Sequence, residues 1–132
     1  MAAYTHLRLV TPEDVDELQH VNNVVYLSML QEAAIAHWND LADKNTRESL
    51  RWIVRKHEIE YFAPAFVGDR IAIQTWVQTA EGASSERVYE ITKDGKTLVK
   101  AKTLWIAVDP NSLRPLRISD SIKQLLEVVP GE

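Results

Sequence analysis

The sequence predicts an α+β fold: a curved antiparallel five-stranded sheet wrapped around one long central helix, with a short C-terminal helix. Three observations carry this. Residues 24–38, VVYLSMLQEAAIAHW, are the most apolar helical stretch, their polar side chains confined largely to a strip through Ser28, Gln31, Glu32 and, just beyond, Asn39. A helix apolar over so much of its circumference must be wrapped by other elements. From residue 50 onward the chain turns into four successive β-forming segments, and their mostly short connections make them antiparallel.

Taken in order, residues 4–10 alternate Tyr4, His6, Arg8 and Val10 against Thr5, Leu7 and Leu9, and form a first strand ended by Thr11-Pro12. An acidic turn, Asp14-Val15-Asp16-Glu17-Leu18-Gln19-His20-Val21-Asn22-Asn23, feeds straight into the helix. Ala33, Ala34 and Ala36 give that helix a shallow surface for strand backbones, while Leu30, Trp38 and Leu41 fill the remaining space. Asn39-Asp40 ends it, and residues 43–48 read as a loop.

Residues 51–62 alternate imperfectly until Pro64 removes a ladder donor. Residues 69–80 alternate cleanly, with Ile71, Ile73, Thr75 and Val77 on one face, as a half-buried strand does. A turn at Glu81-Gly82-Ala83 leads into residues 84–93, and Asp94-Gly95 is the strongest hairpin signal, opening residues 97–108. Asp109-Pro110-Asn111-Ser112 breaks the last strand. Ser119 is placed to cap a short helix through Val128, with Asp120 in its first turn. Without repeat, low-complexity segment or linker, residues 1–132 read as a single domain.

Composition narrows the function. The 132 residues, 45% of them hydrophobic, suffice for one core. A formal net charge of -4 and the lack of any Lys/Arg run argue against a nucleic-acid partner, although a local patch can still take an anionic ligand. With no cysteine there is no disulfide, thiolate ligand or Cys nucleophile. The N-terminus lacks a secretory pattern, and no uncharged apolar run approaches the roughly 20 residues of a membrane span, so the expectation is a cytoplasmic, soluble protein with no membrane partner.

The four glycines are isolated turn residues, which leaves neither a dinucleotide fingerprint nor a phosphate loop, and no cofactor is expected. Gly82-Ala83-Ser84-Ser85-Glu86 lacks the second glycine of a nucleophile elbow. His6, His20, His37 and His57 do not fall at metal-binding spacings, and Asp14, Asp16 and His20 lack a further clustered ligand, so a metal-free reading is preferred. What remains is the acidic turn. A carboxylate at Asp16 beside a helix N-terminus can act on a carbonyl as nucleophile or as general base for water, while the first amides of the helix stabilise an oxyanion. Equally, Asp14 and Asp16 can be a turn carboxylate and a helix-dipole partner, with Asn22 or Asn23 as the N-cap. Spacing alone favours that second, architectural reading.

The wording of the turn shifts the balance. The run from Asp14 to Leu27 resembles the D-x-D-x-x-G/Q-H-V-N-N-x-x-Y-L signature of hotdog-fold thioesterases of the 4-hydroxybenzoyl-CoA thioesterase type, and plant acyl-ACP thioesterases carry a similar Gln-His-Val-Asn-Asn run. His57-Glu58-Ile59-Glu60-Tyr61-Phe62-Ala63-Pro64-Ala65-Phe66-Val67-Gly68-Asp69 resembles the family's Y-x-x-P-x-x-x-G-D element. Thr103 to Asp109, with Arg114-Pro115 beyond, more weakly resembles its last strand and following turn. The resemblance implies a hotdog fold, hydrolysis of an acyl-CoA or acyl-ACP thioester, and a homodimer or dimer of dimers in which two sheets join edge to edge and the site is built across the interface. A non-catalytic acyl-CoA-binding module is the alternative from another class.

By position, the resemblance makes Asp16 the catalytic carboxylate and assigns the Asn23 backbone N–H to polarising the thioester carbonyl. His20 either joins the aspartate in the site or is a helix-entry histidine bonded to backbone. Asn22 shapes the turn at the substrate site, and Tyr26 packs against the acyl group or the sheet. Outside the resemblance, Arg114 and Arg117, with Lys93 and Lys96, can meet the phosphates of coenzyme A, although charge on a surface turn is usually solvation. Where the plant-type pattern has an asparagine two residues after the aspartate, this chain has Leu18, which puts an asparagine-assisted mechanism in doubt; Gln19 holds a place often taken by glycine. Ser84, Ser85 and Arg87 lie where a fourth strand can meet the site, with a solvated edge or sheet-face role as the plainer reading.

Overall fold

A computed structural model describes residues 3–131. Strand β1 (Tyr4–Leu9) leads through a 3-10 turn (Pro12–Asp14) and the acidic turn into helix α1 (Asn23–Leu41). A five-residue helix α2 (Lys44–Glu48) follows, then β2 (Arg51–Tyr61), β3 (Arg70–Val77), β4 (Ser84–Lys93), β5 (Lys96–Val108) and helix α3 (Asp120–Leu126). The five strands form one antiparallel sheet in the order β1-β3-β4-β5-β2.

Two stretches differ from the sequence reading. Helix α1 runs on through Asn39 and Asp40, because the Ala42 N–H still reaches the Trp38 carbonyl and both polar residues lie on the exposed side of the last turn. Residues 43–48 are mostly helical rather than a loop. Asp43 caps the turn by accepting from the Thr46 N–H at 2.8 Å, and Arg47 reaches back to the Ala42 carbonyl at 2.7 Å. Five residues of polar helix carry no periodicity, so only the cap could have announced it.

The meander expected from the short turns holds for β3, β4 and β5. Strand β2 stands apart from it, on the far edge beside β5. Residues 62–69 carry the chain back across the start of α1, where the Tyr26 hydroxyl accepts from the Ala65 N–H at 3.2 Å and the Val21 N–H reaches the Ala65 carbonyl at 2.9 Å. They arrive beside the end of β1, where Val10 and Asp69 or Gly68 exchange backbone bonds of 2.9 Å. Gly68 turns there at φ 89°, a conformation glycine adopts without steric penalty.

Helix α1 buries Tyr26, Met29, Leu30, Ala33, Ala34 and His37, the first five against Ile71, Ile73, Tyr89, Ile91 and Val99 of the sheet. Each large aliphatic side chain removed from water there contributes about 2 kcal/mol. A second cluster, Leu50, Val77, Ala107, Ile118, Ile122 and Leu126, is closed by α3 and joined to α1 through Trp38, whose ring meets Trp52 edge-on at 5.6 Å. The polar strip read from the sequence is exposed as expected, but Val24 and Ile35 are exposed on the same helix, at 69% and 56%.

The sheet face beneath α1 is not uniformly apolar. Arg87, expected on a solvated edge or sheet face, is on the sheet face but only 5% exposed, and Ser85 is buried with it. One Arg87 nitrogen, Nη1, bonds both His37 Nδ1 at 2.8 Å and Thr75 Oγ1 at 3.1 Å, while Tyr4 stacks on the His37 ring at 5.0 Å. Since guanidinium is always the donor, His37 Nδ1 accepts, and the imidazole is neutral. Burial, reinforced by the Arg87 charge, pushes His37 down to about 4.

Two acid limbs of stability follow. His37 takes up its proton near pH 6.5 in the unfolded chain but only near pH 4 when folded, so its contribution is complete above 6.5 and lost as pH falls to 4, by no more than about 3 kcal/mol. Asp14, held down to about 2 by Arg8 beside it, contributes stability that is complete above about pH 4 and lost toward pH 2. Chemical denaturation across this range will show both limbs: His37→Gln will flatten the upper one and Asp14→Asn the lower one, each leaving the other in place.

Candidate active site

The acidic turn is a miniature hairpin. Val15 pairs with Val21, the Asp16 N–H donates to the His20 carbonyl at 2.9 Å, and the Gln19 N–H closes the turn on the Asp16 carbonyl at 3.0 Å. Gln19 then stands at φ 63°, the left-handed position that follows such a turn. A side chain there is tolerated at a cost of about 1 kcal/mol, which accounts physically for glycine at this place in the resembling motif. The hairpin's base is fixed by Asp14: its carboxylate takes Arg8 through both oxygens, at 2.6 and 3.1 Å, and the Thr11 N–H at 2.9 Å, and its carbonyl accepts from the Asn22 N–H at 2.9 Å. Asp14 is therefore spoken for, which removes it from any ligand set with Asp16 and His20; among the described residues no group of three His, Asp or Glu side chains is placed to hold a metal.

Asp16 sits exposed at the turn, and its carboxylate is anchored on one side only. Oδ1 accepts from the Leu18 N–H at 2.9 Å and, more loosely, from the His20 N–H at 3.4 Å, whereas Oδ2 has no protein donor among the described residues. Such a carboxylate is fixed in direction yet keeps one oxygen for a water or a carbonyl carbon. Leu18 contributes its N–H and leaves its side chain 72% exposed, so no side-chain amide stands there to assist.

Asn22 is the N-cap of α1: Oδ1 accepts from the Val24 N–H at 3.0 Å, and its carbonyl accepts from Val25 at 2.8 Å. The Asn23 N–H, first in the helix, has no acceptor among the described residues. At the positive end of a 19-residue helix it is an open donor for a developing negative charge. The His20 ring packs edge-on against Phe66 at 5.2 Å, and its contact with Asp16 runs through the backbone rather than the imidazole.

These groups meet around an open cavity of about 450 Å³ lined by Asp16, His20, Val21, Asn22, Asn23, Tyr26, Tyr61, Phe62, Ala63 and Pro64. The five candidates from the turn and the helix start, Asp16, His20, Asn22, Asn23 and Tyr26, all reach it; Tyr26 does so while its hydroxyl holds Ala65. Arg114 does not line it. It lies exposed in the turn after β5, its carbonyl accepting from the Asp109 N–H at 2.8 Å. The wall that the sequence did not single out comes from the end of β2. Tyr61 donates its hydroxyl to the Asn23 carbonyl at 3.4 Å and lies 5.6 Å from the Tyr26 ring, and Phe62 is 56% exposed. The Y-x-x-P string carried that information, but a strand end followed by proline reads first as punctuation.

A carboxylate with one free oxygen beside an unpaired helix amide is an arrangement for attack at an acyl carbon with oxyanion stabilisation. Comparison with known proteins bears on that chemistry. Residues 10–126 match the family model of the thioesterase-like superfamily. The chain is 26% identical over 120 residues to the long-chain acyl-CoA thioesterase FadM of Escherichia coli K12, covering 86% of this chain and 89% of that protein. To the acyl-CoA thioester hydrolase YbgC of Escherichia coli O6:H1 it is 28% identical over 114 residues, covering 83% and 85%. In three dimensions it superposes with a TM-score of 0.83 on a thioesterase from Thermus thermophilus solved with coenzyme A and zinc, at 22% identity and covering 93% of this chain and 90% of that one. With its central helix, five-stranded antiparallel sheet and helix-start cavity, the chain is a hotdog-fold protein that belongs to the thioesterase-like superfamily.

Proposed function

We propose that the protein is an acyl-CoA thioesterase in which Asp16 attacks, or activates water to attack, the thioester carbonyl while the Asn23 N–H receives the oxyanion. The observation that carries this reading is the half-anchored Asp16 carboxylate on the rim of the same cavity as the free first amide of α1. In the nucleophilic form, Asp16 Oδ2 bonds to the acyl carbon, the C–S bond breaks, the thiolate of coenzyme A leaves, and water then cleaves the mixed anhydride to return the carboxylate. In the general-base form, Asp16 takes a proton from water as the hydroxide adds, and returns it to the leaving sulfur. His20 supplies a wall and, through its N–H, part of the anchor; Asn22 sets the helix start; Tyr61, Phe62 and Pro64 flank the acyl group. Coenzyme A is the carrier that the FadM and YbgC names support, and no metal takes part.

Among the described residues strand β2 pairs only with β5, which leaves its other edge open along eleven residues, with Ile53 at 44% and Tyr61 at 45% exposure. An open edge of that length is either blunted by charge, as Arg55, Lys56, Glu58 and Glu60 do in part, or covered. A homodimer joined along β2 covers it.

Thiol release from a panel of acyl-CoA esters tests the reaction. Asp16→Asn will lower kcat by at least about 100-fold while ligand binding persists, and turnover will survive exhaustive chelation; equal slow release by both proteins would remove Asp16 from the mechanism. Parallel assays on acyl-carrier-protein esters identify the carrier. For the assembly, sedimentation equilibrium will give twice the chain mass for the wild type and a shift toward the monomer for Ile53→Asp.

A further inference from the structure

A second cavity, of about 590 Å³, lies under the C-terminal half of α1 and shares no lining residue with the first. About 16 Å of helix separates Asn23, at the first cavity, from Ala34, at the second. Its walls are Trp38, Trp52 and Trp105, and its charged residues are Arg47, Arg51 and Arg87, with no carboxylate among the lining. Arg47 is occupied by the Ala42 carbonyl and Arg51 is exposed, so the distinctive group is Arg87.

Arg87 is only 5% exposed, with no carboxylate within ion-pair distance among the described residues. Its two acceptors, His37 and Thr75, are neutral and both take Nη1. Nε and Nη2 have no protein acceptor among the described residues, yet no buried side-chain nitrogen lacks a partner, so these two keep access to the cavity. Burial lowers the affinity of Arg87 for its proton only to about 10, which leaves it a cation at neutral pH. Removing an unpaired cation from water is destabilising by several kcal/mol unless an anion arrives. An arginine's planar fork is matched by a carboxylate, and indole walls are matched by a flat apolar body.

We infer that this cavity is a binding site for an aromatic carboxylate, its ring against the indole walls and its carboxylate on the Nε–Nη2 edge of Arg87. A free aromatic acid, such as the proposed reaction releases, supplies that chemistry. That the acid is a reaction product rests on the proposed thioesterase reading; the binding site does not.

Titration calorimetry with 2-naphthoate and the uncharged 2-naphthamide tests the site without turnover. The wild type will bind the acid at least ten-fold more tightly than the amide. Arg87→Gln will abolish the preference, Arg87→Lys will keep part of it, and Asp16→Asn will keep all of it. Equal affinity of the wild type for acid and amide overturns the inference, and that comparison needs no variant to fold.

Discussion

Asp14 joins three pieces of chain that would otherwise be independent. Its carboxylate holds Arg8 from β1 and the Thr11 N–H at the start of the 3-10 turn, and its carbonyl holds Asn22, the cap of α1. Arg8 in turn reaches Glu32 on α1 at 3.2 Å. An ion pair as open as Arg8–Glu32 contributes little by itself. The Arg8–Asp14 pair is different: it is bidentate, mostly buried and supplemented by backbone donors, so nothing on Asp14 is left to react. Two residues further on, Asp16 has the opposite surroundings, with solvent on one side and only Oδ1 engaged. One carboxylate is used up in building the turn, and that rigidity is what leaves the other aimed and half free.

The same constraint explains why the crossover at residues 62–69 matters. A hairpin this small has no core of its own. It borrows one by bridging His20 to Phe66, bonding Val21 to Ala65 and letting Tyr26 take the Ala65 N–H. The crossover is thus both the route from the β2 edge to β3 and the far wall of the cavity, and Tyr61 and Phe62 enter the site because they precede it. A shift in this segment would move the hairpin and the helix start together, which keeps the spacing between Asp16 and the Asn23 amide insensitive to the surface around it.

Much of this was legible in the sequence because it is local. Helix α1, the Asp94-Gly95 hairpin, the clean alternation of β3 and the cap at Ser119 are each set by residues within a few positions, and the acidic turn carried both its shape and its family resemblance. The position of β2 was not legible, since strand order is decided by where residues 62–69 cross, a contact with α1 that no periodicity encodes. Tyr61 was hidden for the same reason. Arg87 is a different kind of miss. Tyr89 and Ile91 fix the buried face of β4, and two-residue parity puts Arg87 and Ser85 on that face. The signal was present, but a charged residue is read as solvated by default because an isolated buried charge is so unfavourable.

That cost bears on what the second half of α1 is for. Along the first half, the helix meets the sheet through Ile71, Ile73, Ile91 and Val99, and packing alone accounts for the contact. Toward Trp38 the facing residues become Thr75, Ser85, Arg87 and Thr103, all buried. An aliphatic side chain in place of Arg87 would remove an uncompensated cation from the interior, and replacements of that kind commonly raise stability. His37 does not offset the charge, being neutral and itself penalised by its neighbour. A guanidinium held there by one nitrogen, with its other edge open to a cavity, gives up folding stability and regains it only when an anion binds. The helix therefore presents two sites of different logic: at its start, a charge that is free because another residue has done the structural work, and near its end, a charge left without a partner inside the fold.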